Sequence, residues 1–147
     1  MANEAIWTTL SQATLQSSGA SAASTAIVSG GTLATSMHSL FSAVDLVLTG
    51  TMAASIAAAS NYFAVYARHL NIDGTADAPV PSASIKAKFV GPIQFAGSSA
   101  SGAQTGILEN VETSWADVEF YVENMTNATL NAGWTLKATP KTLEPSA

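Results

Sequence analysis

Two alternating runs near the C-terminal end constrain this chain most. In the first, Val118, Phe120 and Val122 alternate with Asp117, Glu119, Tyr121 and Glu123; in the second, Trp134, Leu136 and Ala138 alternate with Thr135, Lys137 and Thr139. A period of two belongs to a β-strand with one buried face. The Met125–Asn131 stretch between them carries turn residues, so a hairpin-like pair with a longer loop is expected.

The rest of the chain repeats this pattern. Val44, Leu46 and Leu48 alternate before Gly50 and predict a half-buried strand. In the run Tyr62–Ile72, Phe63, Val65 and Ala67 share one face and Tyr62, Ala64, Tyr66 and Arg68 the other, so both faces are expected to be covered. Ile85, Ala87 and Phe89 are expected to point inward and Lys86 and Lys88 outward, with Gly91-Pro92 bending the chain. Pro79 and Pro81 mark a loop or an edge passage. Gly30-Gly31 reads as a turn, Ala96–Gly106 as a surface loop, and Pro140–Ala147 as a surface strap. No long amphipathic helix interrupts these runs. About six to eight strands of this kind predict an all-β protein, an antiparallel β-sandwich that is jelly-roll-like.

Residues 1–36 admit two readings, an N-terminal arm that orders on a neighbour or the first strands, Ala5–Leu10 and Thr25–Leu33. Residues 37–147 form the sandwich domain with its C-terminal strap. On the arm reading, deleting Met1–Ser24 leaves a folded domain.

Composition narrows the function. Charged residues are 10% of the 147, against an ordinary ~25%, and there are no Cys, two His, five Lys plus Arg and ten Asp plus Glu. Without Cys there are no disulfides, thiolate nucleophiles or zinc-thiolate sites. A net charge of -5 offers no footprint for a phosphate backbone, so no nucleic-acid partner is expected. Neither a secretory signal nor a membrane-spanning segment is legible, and a soluble protein made in the cytoplasm is expected. Ser, Thr, Asn and small apolar groups must cover a surface so poor in charge, which favours a component of an assembly.

Chemistry at a site needs several reactive groups held together. Asp117, Glu119 and Glu123, with Glu112 upstream, could offer oxygens to Ca²⁺. Side chains two apart on a strand are about 6.5–7 Å apart at Cα, and no loop wraps them, so a solvated face opposite Lys86 and Lys88 is the simpler reading. His69 beside Arg68 and near Asp73 joins a base, a cation and a carboxylate but lacks a nucleophile, and these residues read as the cap of a strand end. Asn124-Met125-Thr126 and Asn127-Ala128-Thr129 read as turns. No catalytic residue, metal ligand or cofactor is therefore expected, and the chain reads as a non-enzyme. Ile6, Trp7, Leu10, Leu15 and Trp115 are the candidate protein-interface residues, as apolar groups outside the alternating core faces.

Asn61–Ala67 ending in Asp73-Gly74-Thr75, the run Val90-Gly91-Pro92-Ile93, and Ala116–Leu130 with its Val-x-Asn-x-Thr-x-x-x-Leu turn together resemble small tailed-phage virion proteins over about residues 40–140. The low-charge, Cys-free composition is also similar to that of head decoration and cement proteins. The resemblance implies a β-sandwich or jelly-roll clamp on the capsid exterior that binds across major capsid protein subunits and stabilises the head, as a homodimer or homotrimer. A tail or fibre component that contacts host glycan is the alternative.

Overall fold

Nine strands and no helix form among the described residues of a computed structural model, which are 5–9, 11–33, 43–56, 61–71, 76–86, 88–95, 102–113 and 117–145. In chain order they are β1 (Ala5–Thr9), β2 (Ala13–Gly19), β3 (Ile27–Leu33), β4 (Ala43–Gly50), β5 (Phe63–His69), β6 (Lys88–Ile93), β7 (Gln104–Glu112), β8 (Val118–Asn124) and β9 (Trp134–Pro145). One sheet runs β1–β9–β4–β7, with β2 also paired to β9; the other runs β3–β8–β5–β6. All pairings are antiparallel. β1 and β2 lie end to end along one side of β9, which makes each sheet four strands wide.

The alternating faces meet between the sheets as expected. Val44, Leu46 and Leu48 from β4, Phe63 and Val65 from β5, Val118, Phe120 and Val122 from β8, and Trp134 and Leu136 from β9 are all buried in one core. Burying each large apolar side chain stabilises the fold by about 1.5–3 kcal/mol. Four expectations about connection and phase change. β8 and β9 are not a hairpin: they belong to opposite sheets, and the turn between them crosses from one to the other. A period of two reports which side is buried and is silent on which strand lies alongside.

Gly30-Gly31 is not a turn but a bulge inside β3. Ser29 faces Tyr121 and Gly31 faces Phe120, so Gly30 is the extra residue. Gly31 has φ 94°, and a Cβ there would strike the Leu15 carbonyl of β2. Pro140 lies inside β9 opposite Val44 and is buried, so the strap is a strand as far as Pro145. On its other side β9 passes there from Ala138, the partner of Ala13, to Lys141, the partner of Thr9. A residue with no N–H to donate is tolerated at such a break in pairing.

The fourth change concerns Phe89 and Ile85, which are half exposed rather than inward. Gly91 faces Val65 and Phe89 faces Tyr66, so Val90 is an extra residue that reverses the alternation. Ala87 lies outside the described residues.

In the N-terminal segment Ala5–Thr9 and Ile27–Leu33 form strands near the expected positions, and Ala13–Gly19 adds a strand not expected from the sequence. Ala22 is fully buried, and a Cβ on Gly19 would overlap the Trp134 indole, whose Nε1 donates to the Ala20 carbonyl at 2.7 Å. Removing Met1–Ser24 would uncover Trp134, so the deletion would take away part of the core rather than leave the domain folded.

The turn after β8 is pinned by Asn124, which is fully buried. Its Nδ2 donates to the Ala22 and Ala128 carbonyls, both at 2.8 Å, while its Oδ1 accepts from the Thr126 amide at 3.0 Å and hydroxyl at 2.7 Å. Asn124→Ala is expected to cost about 3–5 kcal/mol, since four hydrogen bonds at roughly 1 kcal/mol each are lost and buried carbonyls are left bare. The urea midpoint of the purified chain checks this, and a loss below about 1 kcal/mol would contradict the role given to the amide.

Candidate functional site

The outer face of the β3–β8–β5–β6 sheet is not the open polar surface usual for a sandwich. Ala64, Tyr66 and Tyr121 are buried there in a second apolar cluster, with Ile27, Tyr62 and Met125 packed against it. The 76–86 segment returns along this face. The Ala78 amide donates to the His69 carbonyl, Arg68 Nε donates to the Ala78 carbonyl at 2.7 Å, and the Asn71 amide donates to Asp77 Oδ1 at 3.0 Å.

The acidic row on β8 is consequently not solvated. Glu123 is 5% exposed; it accepts from Tyr66 Oη at 2.6 Å and from Lys86 Nζ at 2.5 Å. Glu119 accepts from Arg68 Nη1 at 2.9 Å and from Ser29 Oγ at 3.1 Å, and Arg68 Nη2 reaches Asp77 at 3.4 Å. Lys86 also lies over the Tyr66 ring at 5.3 Å, and Phe89 packs edge-on against that ring at 5.8 Å. Sequence spacing finds the row and sets Lys86 opposite it, but misses the burial of Glu123 and its bond from Tyr66, which comes from a distant segment.

These contacts shift titrations in opposite directions. Burial acts to raise the Glu123 carboxyl, but the hydrogen bonds from Lys86 and Tyr66 and the Lys86 charge outweigh it and hold it below the ordinary carboxylate range. The Glu123 hydrogen bond holds the Lys86 ammonium above its usual value, against burial. Burial first, and then its hydrogen bond to Glu123, push the Tyr66 phenol up.

A second concavity opens on the other side of β6, where β6 lies against β7 and the two sheet edges leave a cleft of about 260 Å³. Val90, Val111 and Phe120 give it apolar walls, and His69, Lys88, Glu109 and Glu112 line it too. Adjacent on β5, His69 and Arg68 point to opposite faces of the sheet, so the structure separates the base from the cation. Asp73 lies outside the described residues.

The β7 wall is shaped by a bulge in which Glu109 and Asn110 stand opposite the single residue Asp45. Asn110 has φ 56°, a left-handed conformation that Asn tolerates better than most residues. Asp45 Oδ1 accepts the Asn110 amide at 2.9 Å, Asp45 Oδ2 pairs with Lys141 Nζ at 2.6 Å, and Lys141 donates to Asn110 Oδ1 at 3.2 Å.

Of the expected interface residues only Leu15 has a described side chain, and it lines neither surface. Ile6 and Trp7 are backbone partners of Glu144 and Leu143 on β1 and β9. Leu15 is half-buried against the main core. Leu10 and Trp115 lie outside the described residues. Among the described residues no group of His, Cys, Asp or Glu has the arrangement to hold a metal ion, and no helix is long and apolar enough to cross a membrane.

Two outcomes test the outer-face network. Tyr66→Phe is expected to lose about 1.5–3 kcal/mol, the range for a hydrogen bond to a charged group, measured as a fall in the urea midpoint. Because the folded Glu123 pKa is depressed, its contribution is present above the unfolded value of about 4.3 and is lost as pH falls through the folded value. The thermal midpoint of the wild-type chain should therefore fall more between about pH 6 and about pH 3 than that of Lys86→Met. Parallel curves would show that the pair is not coupled to folding.

No protein-family model, curated protein or solved structure matches this chain.

Proposed function

We propose that this protein is a non-enzymatic virion component, a head decoration or cement protein of a tailed phage. It binds the exterior of the shell across neighbouring major capsid protein subunits, as a homodimer or homotrimer. The resemblance of residues 40–140 to small phage virion proteins and the charge-poor composition support this reading. The strand orders β1/β2–β9–β4–β7 and β3–β8–β5–β6 also support a jelly roll, since in described order the chain changes sheet at every connection except β1 to β2 and β5 to β6.

One observation carries the reading furthest. Phe89 on β6, at the edge of its sheet, and Ile85 just before that strand are 55% and 48% exposed, and Val80 of the 76–86 segment is 51% exposed. The cations on the outer face are already neutralised, Lys86 by Glu123 and Arg68 by Glu119 and Asp77. A surface with open apolar side chains and internally paired charges gains by desolvation and loses little. A protein partner fits it better than a nucleic acid or a membrane surface.

Mass spectrometry of purified virions tests the location: a copy number comparable with that of the major capsid protein supports the shell, and a few copies per particle would place the chain in the tail, where the host-glycan reading belongs. In reconstitution, Phe89→Asp should weaken binding to undecorated shells about ten- to a hundredfold, since full burial of such a side chain contributes about 1.5–3 kcal/mol. Undiminished occupancy would remove Phe89 from the contact.

A further inference from the structure

Most of the charges with described side chains are satisfied internally. Asp45 pairs with Lys141, Asp77 and Glu119 with Arg68, and Glu123 with Lys86, while Asp117 has a partner as well. Among the carboxylates with described side chains, Glu109 and Glu112 alone have no hydrogen bond or ion pair. Both line the 260 Å³ cleft between β6 and β7. Within it the half-buried Val90 leaves an apolar edge open, with Val111 and Phe120 almost wholly buried behind it, so the lining is mixed. The bulge that carries Glu109 is locked by the Asp45–Lys141–Asn110 contacts, so the acidic wall is built before anything binds.

Size narrows the occupant. Small-molecule and cofactor sites usually measure about 300–1,000 Å³, and this cleft of about 260 Å³ lies just under that range, with room for one long side chain. Two unpaired carboxylates in a cleft of mixed lining with an open Val90 edge match a group that is aliphatic along its length and cationic at its tip.

We propose that the cleft receives a single lysine or arginine side chain of a partner protein. Its alkyl stem lies along Val90, with Val111 and Phe120 behind it, and its cationic head sits at Glu109 and Glu112. Lys88, on the β6 wall of the same cleft, is a like charge that lowers the affinity and favours a partner whose head group lies on the β7 side. The assignment stands on the charge and shape of the cleft and is independent of the virion reading.

The test is a methyl NMR titration of the full chain with N-acetyl-arginine amide, following Val90 and Val111. N-acetyl-norleucine amide and N-acetyl-glutamate amide serve as the neutral and anionic probes. Saturable shifts with the arginine probe are expected at millimolar Kd, at least fivefold weaker with the norleucine probe and absent with the glutamate probe. Glu109→Gln combined with Glu112→Gln should weaken arginine binding at least fivefold, and because both residues are exposed the remaining methyl spectrum should be unchanged. Lys88→Met should tighten binding about two- to fivefold, by removing a like charge, and added salt should weaken it. No saturable shift with arginine would overturn the assignment, as would equal binding of the norleucine probe. Weaker binding by Lys88→Met would overturn it too, because the cleft would then be reading a negative group on the ligand.

Discussion

The fold depends on one side-chain amide. Asn124 has two N–H donors and an oxygen with two acceptor sites, and all four are used within the protein, where no water reaches the side chain. Its backbone amide and carbonyl are engaged as well, with Ala26 and Thr25. The amide therefore joins three things: the end of β8, the turn that leads to β9, and the 22–26 segment that enters β3. Leu130, at the end of that turn, bridges to both Ala22 and Met52. A crossing between sheets leaves backbone groups without ladder partners, and here Asn124 and Thr126 replace the missing ladder.

From that pinned crossing β8 and β9 depart on opposite sheets, and each becomes the strand around which its sheet is built. β9 pairs with β4 on one side and with β1 and β2 on the other; β8 pairs with β3 and β5. β8 also gives each of its faces a core. Val118, Phe120 and Val122 fill the space between the sheets, while Tyr121 and Glu123 lie under the returning 76–86 segment. Covering the outer face in this way moves charge off the surface. An ion pair with one buried partner is not by itself strong evidence for stability, but it lets the loop close over Tyr66 while satisfying the carboxylate beneath it.

Much of this architecture is legible in the sequence, and the gaps have physical causes. The strands at Val44–Leu48, Phe63–Ala67, Val118–Val122 and Trp134–Ala138 are read correctly because each keeps an unbroken period of two over one buried face. β7 escapes because its buried residues, Gly106 and Val111, fall on opposite parities across the Asn110 bulge, which destroys the alternation. β2 is hidden by two register irregularities between Thr14 and Gly19. Phe89 is assigned to the wrong side for a related reason, since it shares parity with Gly91 and Ile93 until the Val90 bulge shifts the phase. Of the two candidate surfaces, only the placement of Lys86 opposite the acidic row is legible in the sequence. The Glu123 network joins residues 37 and 57 positions from it along the chain, and the cleft needs the facing edges of two sheets.

The bulge at Val90 gives these surfaces a common origin. On an unbulged edge strand Phe89 would have turned toward the core and Lys88 toward the outer face. With one extra residue, Phe89 stands outward beside Tyr66, while Lys88 and Val90 line the cleft shared with β7. β6 thus carries an apolar contact on one side and one wall of an acidic, side-chain-sized cleft on the other, only one residue apart. A partner that approached this edge would meet both at once, and each would constrain the other: an apolar patch alone fixes neither orientation nor register, whereas a charged side chain seated between carboxylates fixes both. With the other described carboxylates engaged internally, few groups are left to orient a cationic partner. The unpaired acids of β7, held beside β6 by the packing of the two edges, are such groups.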